Sequence, residues 1–424
     1  MTLNIKIPGK DYNNTLFQYL GTFLLSIYPI TFFFGNGVLN TCIILIDIVL
    51  ILELLKEKNL KFLNCLPFYS LIFLWIVLII NLIFFSIDSY NSIPRTLGFI
   101  RFIFFVFAII YFFNISNGTY QKIILSSWLT IFAITSIDLI YEISFGSNIL
   151  GFVSYMPGRL AGFFNDELIM GHYYCGFILI ILTYLFQILK KKGSFYFQKI
   201  NLKFSYKNLI YVFIFLFLII TMLIGERSNF IKSLIMVFVF TLLLNRDQIK
   251  KKILLILSVI LIFFILIFNN QQYKVRFVTQ LISPIINNPI NFVTSSKYWD
   301  HYSAGINIFK DNKIFGVGLK NYRIYAKDKN YKDPSNHPHQ SHIEILSELG
   351  LMGYFSFLLF FIINIRNSIQ FNNIYNSLFK LSGFLFLVVS FIPLLPSGSF
   401  FTSHAAAIFW MNFSLILYSK DSYN

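Results

Sequence analysis

The sequence predicts an all-α, polytopic membrane protein with about 12 transmembrane helices and one large external loop domain between helices 9 and 10. Two observations lead to this prediction. Of the 424 residues, 57% are hydrophobic and only 12% are charged, which leaves too little polar surface for a soluble globule of that size. The apolar residues also form runs of about 17 to 22, the length that an α-helix needs to cross a hydrocarbon core of roughly 30 Å.

The apolar runs define the predicted helices in chain order. The first two runs are separated only by Gly35, Asn36 and Gly37, so we expect them to form a tight helical hairpin. The first run is followed by no small-residue cleavage site, which favours a membrane anchor over a removed signal peptide. The runs are residues 16–34, 37–55, 67–86, 97–116, 124–144, 168–189, 208–224, 229–245, 253–269, 344–364, 378–394 and 399–418.

The distribution of charge predicts how the helices are oriented. The net charge is +16, and with both termini in the cytoplasm most Lys and Arg residues lie in cytoplasmic loops. Because topology explains the positive charge, we expect no nucleic-acid partner, and the lipid bilayer is the surrounding medium. The chain then divides into residues 1–269 with helices 1–9, an external domain at residues 270–342, and residues 343–424 with helices 10–12.

Three of the six histidines stand at the end of the external domain, just before helix 10. They are His337, His339 and His342. Their spacing allows three interpretations: ligands of a catalytic metal, solvated residues that cap the helix, or a neutral imidazole that acts as general base. We favour the base, because no Cys lies nearby and no His-Glu-x-x-His pattern exists.

Two arginines lie in external loops. Arg159 follows helix 5, and Arg227 lies in a short turn between helices 7 and 8, where a charge near the membrane surface needs an anionic partner. Arg227 could snorkel or pair with its neighbour Glu226. Alternatively, Arg159 and Arg227 bind phosphate together, since a guanidinium group matches phosphate oxygens in a bidentate way. Asp166 and Glu167, beside Arg159, could instead hold a divalent ion.

The external domain contains a predicted amphipathic helix and a pair of glycines. Apolar residues recur in this helix at steps of three, four and three, which puts them on one face that we expect to be a packing face. They are Trp299, Tyr302, Ile306 and Phe309. The glycines, Gly316 and Gly318, are too sparse for a phosphate-binding loop.

The order of these motifs resembles the O-antigen ligase and polymerase family of bacterial membrane glycosyltransferases. The resemblance covers residues 155–360. The motifs that match the family are residues 159–164, 225–227, Trp299, 316–318, 337–340 and 348–353. The chain departs from the family pattern at four positions. Glu226 stands where the family often has Ser, Lys313 where it often has Pro and Gln340 where it usually has Asn, and His342 is an additional histidine.

The resemblance implies a catalytic role for three residues. His339, which aligns with the His of the family, would be the base, and Arg159 with Arg227 would stabilise a pyrophosphate leaving group without a metal or cofactor. No paired carboxylates are visible, so we expect a single displacement with inversion. The residues expected to contact substrate are Lys297, His337, Gln340, His342 and Glu348.

The resemblance also implies the substrates and the location. The donor would be a glycan on undecaprenyl pyrophosphate at the periplasmic face of the bacterial inner membrane, in the biosynthesis of lipopolysaccharide or another surface polysaccharide. The acceptor would be lipid A-core in a ligase, which we favour, or a second lipid-linked glycan in a polymerase. A lipid-linked sugar flippase or transporter, the competing class of function, predicts charges near mid-membrane and repeat symmetry. The sequence instead gathers charge at one face and shows no repeat.

Overall fold

The computed structural model describes residues 15–115, 118–165, 167–197, 202–244, 248–332, 335–369, 377–393 and 395–418. Most of these residues are helical, which confirms the predicted fold class, with one antiparallel hairpin in addition. Its strands are β1 (Ser194–Phe197) and β2 (Leu202–Ser205), and Ser194 pairs with Ser205. The predicted segment ends at residues 116, 245 and 394 lie outside the described residues.

The helices follow the predicted segments closely, and several short helices lie in residues 270–342, the predicted external domain. The helices are α1 (Leu16–Thr31), α2 (Gly35–Lys56), α3 (Leu66–Phe84), α4 (Ser89–Gly98), α5 (Ile100–Asn114), α6 (Thr119–Phe145), α7 (Met170–Lys192), α8 (Tyr206–Leu223), α9 (Arg227–Leu243), α10 (Ile249–Asn269), α11 (Gln271–Tyr273), α12 (Ser283–Asn287), α13 (Pro289–Thr294), α14 (Lys297–Asp311), α15 (Tyr322–Asp328), α16 (Ser341–Ser368), α17 (Leu378–Ser390) and α18 (Ser403–Leu417). A π-helical segment, Lys274–Ile282, follows α11.

Within the described part of the chain, eight helical stretches are long and apolar enough to cross a membrane. One of them, Leu16–Lys56, contains both α1 and α2, whereas α17 and α18 are apolar but shorter. The polytopic membrane class is therefore confirmed, and the number of about 12 crossings stays a prediction. The sequence did not predict α4, whose N-terminus is capped by the Asp88 carboxylate.

The first two helices form the predicted hairpin. Gly35 ends the turn between them with a φ of 84°, which glycine adopts without steric cost. At the far end of the hairpin the buried carboxylate of Glu53 accepts hydrogen bonds from Thr15 at 2.6 Å, from Gln18 at 2.7 Å and from Tyr111 of α5 at 3.1 Å. These bonds satisfy a carboxylate that would be costly to bury alone, and they join α5 to the hairpin.

A segment of the predicted external domain, residues 313–318, is held to α16 by an exchange of backbone hydrogen bonds. Gly350 interrupts α16 with φ 64° and ψ −166°. An unbroken helix would bond the N–H groups of residues 351 and 352 to the carbonyls of residues 347 and 348. Both pairs of groups instead bond to the external segment. The N–H groups of Leu351 and Met352 donate to the carbonyls of Lys313 at 2.8 Å and Ile314 at 3.0 Å. In return, the N–H groups of Val317 and Gly318 donate to the carbonyls of Ser347 at 3.1 Å and Glu348 at 2.8 Å.

We call residues 313–318 and 347–352 the backbone clasp. A Cβ on Gly316 would lie 2.4 Å from the carbonyl carbon of Glu348, and a Cβ on Gly350 would lie 2.4 Å from that of Ile314. Both glycines are therefore needed for the two backbones to approach so closely. On its other side the clasp contacts the end of α3, where the ring of Phe85 stacks on that of the clasp residue Phe315 at 3.6 Å.

Replacing either clasp glycine with alanine should destabilise the protein. Gly316→Ala and Gly350→Ala add a methyl group against backbone atoms at positive φ, and we expect each to cost more than about 2 kcal/mol. The measurement is the apparent melting temperature of the detergent-solubilised protein. Gly37→Ala is the matched control, because Gly37 lies inside α2 with open space around a Cβ. Clasp variants that melt with the control would contradict this role.

Candidate active site

The candidate site lies at the end of the helix bundle where the α6–α7 loop, the α8–α9 turn and the external domain meet. Glu142, near the end of α6, accepts hydrogen bonds from the backbone N–H groups of Ala161 at 3.1 Å and Gly162 at 2.8 Å. The N–H of Leu160 donates to the carbonyl of Ile224 at 3.1 Å. The loop after α6 is thus fixed against the end of α8.

This contact brings Arg159 and Arg227 to the same place. Gly225 has a φ of 77°, and a Cβ there would lie 2.0 Å from the carbonyl oxygen of Gly158. The two arginine-bearing loops therefore touch backbone to backbone, although the residues are far apart in sequence.

A third arginine, Arg276 of the π-helical segment, joins the first two. Its guanidinium donates to the carbonyl of Gly225 at 2.8 Å, and its own carbonyl accepts from Arg227 at 3.3 Å. Burial, followed by the charges of Arg227 and Arg159, lowers the pKa of Arg276 to about 10. We call Arg159, Arg227 and Arg276 the arginine cluster. Sequence reasoning missed Arg276, because no spacing relates it to the other two.

Of the alternatives for Arg227, the structure does not show the ion pair with its neighbour Glu226. Glu226 pairs with Arg159 at 3.0 Å, and it also accepts from the backbone N–H of Gly171 at 2.9 Å and from Asn229 at 2.6 Å. The carboxylate is thus held by Gly171 at the start of α7, by Asn229 of α9 and by Arg159 of the α6–α7 loop. Within the described ranges, no carboxylate forms an ion pair with Arg227 or Arg276, and the cluster keeps a net positive charge.

Three imidazoles lie together beside the arginine cluster. The ring centroid of His339 is 4.0 Å from that of His337 and 5.2 Å from that of His301. We call these residues the histidine cluster. Tyr298 packs edge-on against His339 at 5.7 Å and interacts electrostatically with Arg227, so one tyrosine connects the two clusters. His301 lies on α14 and is remote in sequence, which is why it was not predicted.

The backbone around His339 is constrained. His339 has a φ of 55°, and its carbonyl accepts from the N–H of Ser397 at 2.8 Å. The next residue, Gln340, caps α16, because its side-chain oxygen accepts from the N–H of Ile343 at 2.8 Å. The imidazole is therefore presented at a turn whose two sides are tied to neighbouring elements.

The imidazoles of His337 and His339 are uncharged at neutral pH. Burial, followed by the proximity of His339, lowers the pKa of His337 to about 3. Burial, followed by the proximity of His301, lowers the pKa of His339 to about 4. A lowered histidine pKa favours the neutral form, so each ring is able to accept a proton.

The predicted packing face of α14 is wrong in part. Trp299 and Ile306 are 39% and 38% exposed. A neighbouring face is buried, since a Cβ on Gly305 would lie 2.4 Å from the side chain of Ile343. The small residues on this face allow α14 to approach α16 closely, which outweighs the burial of the larger apolar side chains. The buried residues are His301, Tyr302, Ala304, Gly305 and Ile308.

The remaining predicted substrate contacts are spread over different environments. His342 uses both ring nitrogens within the helix bundle, with the carbonyl of Phe391 at 2.8 Å and the hydroxyl of Tyr354 at 3.0 Å. Lys297 is exposed at the start of α14. Glu348 is buried and lines a cavity beside His337.

The metal-ion sites considered as alternatives lie partly within the described residues. In the residues that the structure describes, no group of three or more His, Cys, Asp or Glu side chains is placed to hold a metal ion. Asp166, one of the two carboxylates considered for a divalent ion, lies outside these residues, and Glu167 is exposed.

Comparison with known proteins adds one match. Residues 212–358 match the family model described as O-antigen ligase, whereas no curated protein matches the chain. The matched segment contains Arg227, Arg276 and the whole histidine cluster, and Arg159 precedes it. The match supports the resemblance predicted from the motifs: residues 212–358 of this membrane protein are similar to the O-antigen ligase family.

Proposed function

We propose that the protein transfers a glycan from undecaprenyl pyrophosphate to a hydroxyl group of lipid A-core, at the periplasmic face of the inner membrane. The observation that carries this proposal is the position of Tyr298, which packs against the neutral imidazole of His339 and interacts electrostatically with Arg227 of the arginine cluster. Transfer from a pyrophosphate requires a base for the acceptor hydroxyl and positive charge for the leaving group. The two clusters supply these groups next to each other.

The arginine cluster would bind the pyrophosphate of the donor. Arg227 and Arg276 donate to backbone carbonyls and form no direct ion pair with a carboxylate among the described residues. Arg159 is oriented by Glu226 and by the carbonyl of Leu168, to which it donates at 2.6 Å. The fixed guanidinium groups would neutralise the charge that grows on the leaving phosphate oxygen, a role often filled by a metal ion in other enzymes.

The chemical step would be a single displacement with inversion at the anomeric carbon. The acceptor oxygen attacks this carbon, the bond from the carbon to the pyrophosphate oxygen breaks, and its electron pair leaves with undecaprenyl pyrophosphate. The hydroxyl proton passes to His339. Bound pyrophosphate would place negative charge near this imidazole and so raise its pKa toward neutrality, which makes it a better base in the complex than in the free protein.

Reconstitution tests the whole proposal. Purified protein in lipid vesicles would receive a defined undecaprenyl pyrophosphate glycan and either lipid A-core or a second lipid-linked glycan, with EDTA present. We expect glycan transfer to lipid A-core in EDTA, with inverted anomeric configuration in the product. Lipid-linked chains of increasing length would instead identify a polymerase. A requirement for added divalent ions would contradict the metal-independent mechanism.

Replacing His339 should abolish transfer without unfolding the protein. His339→Asn suits the test because asparagine tolerates a positive φ better than most residues, so the turn should survive. We expect the transfer rate to fall by about a hundredfold to ten-thousandfold. Membrane insertion and melting temperature should match the wild type. Near-normal transfer would contradict the assignment of His339 as the base.

Replacing Arg227 with lysine tests how the phosphate is recognised. Arg227→Lys keeps the charge and loses the fork of donors, so binding of undecaprenyl pyrophosphate should weaken by about tenfold. Donor affinity is measured on purified protein, with Lys327→Gln, a change at an exposed lysine on α15, as the control. If lysine binds the donor as well as arginine, recognition does not depend on guanidinium geometry.

A further inference from the structure

A second group of cations surrounds a cavity that the proposed donor site does not use. The cavity has a volume of about 510 Å³ and lies between α4, α15 and the first turns of α16. Arg95, Lys320 and Arg323 line it, together with the buried carboxylates of Glu344 and Glu348. Its size suits one or two sugar rings, since small-molecule sites range from about 300 to 1,000 Å³.

The carboxylates of this cavity already contact other groups of the protein. Glu344 accepts from the hydroxyl of Ser399 and from the backbone N–H of Phe400. The carboxylate of Glu348 lies near the backbone of Lys320 and Tyr322. These contacts hold the acids at the buried floor of the cavity. Their remaining lone pairs face a space in which sugar hydroxyls would be suitable donors.

The cations form no direct ion pair within the described residues, although Arg95 interacts electrostatically with Glu348 and Glu344. Arg95 donates to the carbonyl of Phe401, and Arg323 donates to the side chain of Asn336 at 2.6 Å. Across the described ranges, neither arginine nor Lys320 forms an ion pair with a carboxylate. Lys320 and Arg323 are exposed, so an anionic group would meet them at the mouth of the cavity before its sugar reached the floor.

A series of neighbouring side chains links the cavity to the arginine cluster. His337 lines the cavity, and its ring lies 4.0 Å from that of His339. His339 also packs against Tyr298, which interacts electrostatically with Arg227. In this series the proposed base therefore lies between the cavity and the arginine cluster.

We propose that this cavity is a second anion site, which binds an acceptor sugar carrying a phosphate or carboxylate group. Arg95, Lys320 and Arg323 bind the anionic group, and Glu344 with Glu348 accept hydrogen bonds from the sugar hydroxyls. The ligand chemistry is argued from the cavity alone, whereas the acceptor role rests on the proposed transfer reaction. An acceptor held there would lie beside His337, whose ring neighbours that of the proposed base His339.

Binding of simple anionic sugars to the full-length protein tests the site directly. The probes are glucose 6-phosphate and glucuronate, with neutral glucose for comparison, observed by saturation-transfer NMR on protein in zwitterionic nanodiscs. We expect both anionic sugars to bind more tightly than glucose. The double variant Lys320→Gln/Arg323→Gln should weaken their binding by about tenfold. Lys327→Gln, on the same helix as Arg323 but outside the cavity lining, should bind them like the wild type.

Donor binding, measured separately, distinguishes this proposal from the proposed function. Undecaprenyl pyrophosphate should bind the double variant normally and Arg227→Lys weakly, which is the reverse of the result for the anionic sugars. Three results would overturn the second site. The anionic sugars could fail to bind only in Arg227→Lys, they could bind the double variant as tightly as the wild type, or they could bind the wild type no more tightly than glucose does. Failure of the wild type to transfer glycan would overturn the acceptor role, while the binding results would still decide the anion site.

Discussion

The kink at Gly350 is the constraint on which the other features of the site depend. It releases two N–H groups and two carbonyls of α16, and the clasp segment satisfies all four. Unsatisfied backbone groups are costly in an apolar bundle, so the kink and the docking of the external segment require each other. The clasp thereby fixes α14, which carries His301, and α15, which carries Arg323, relative to the first turns of α16.

Three arginines of the site donate hydrogen bonds to groups other than carboxylates, the usual partners of arginine. Backbone carbonyls, not carboxylates, accept the hydrogen bonds of Arg95, Arg227 and Arg276. A carbonyl orients a guanidinium group without neutralising it, so the positive charge stays available to an anionic ligand. Keeping such charges partly buried costs desolvation energy, and a phosphate that replaces the lost hydration would offset this cost. The protein thus gives up some stability where it would bind its substrates.

Sequence reasoning was most accurate where the signal is local. Apolar runs predicted the long helices, and the short turn around Gly35 predicted the first hairpin. It was least accurate where a contact depends on a residue that is remote in sequence. Glu226 pairs with Arg159 because the loop geometry brings that arginine closer than the adjacent Arg227. The helix α14 buries the face of Gly305 because only small residues allow the close approach to α16.

The sequence by itself determined the membrane class, the position of the helices and the family motifs, because hydropathy and short motifs are properties of neighbouring residues. Only the tertiary structure decided which side chains meet. Arg276 and His301 carry no sequence pattern that links them to Arg159 or His339, and they reach the site through contacts across the fold. The role of Gly316 and Gly350 could not be predicted either. A glycine in the sequence does not reveal which remote backbone segment packs against it.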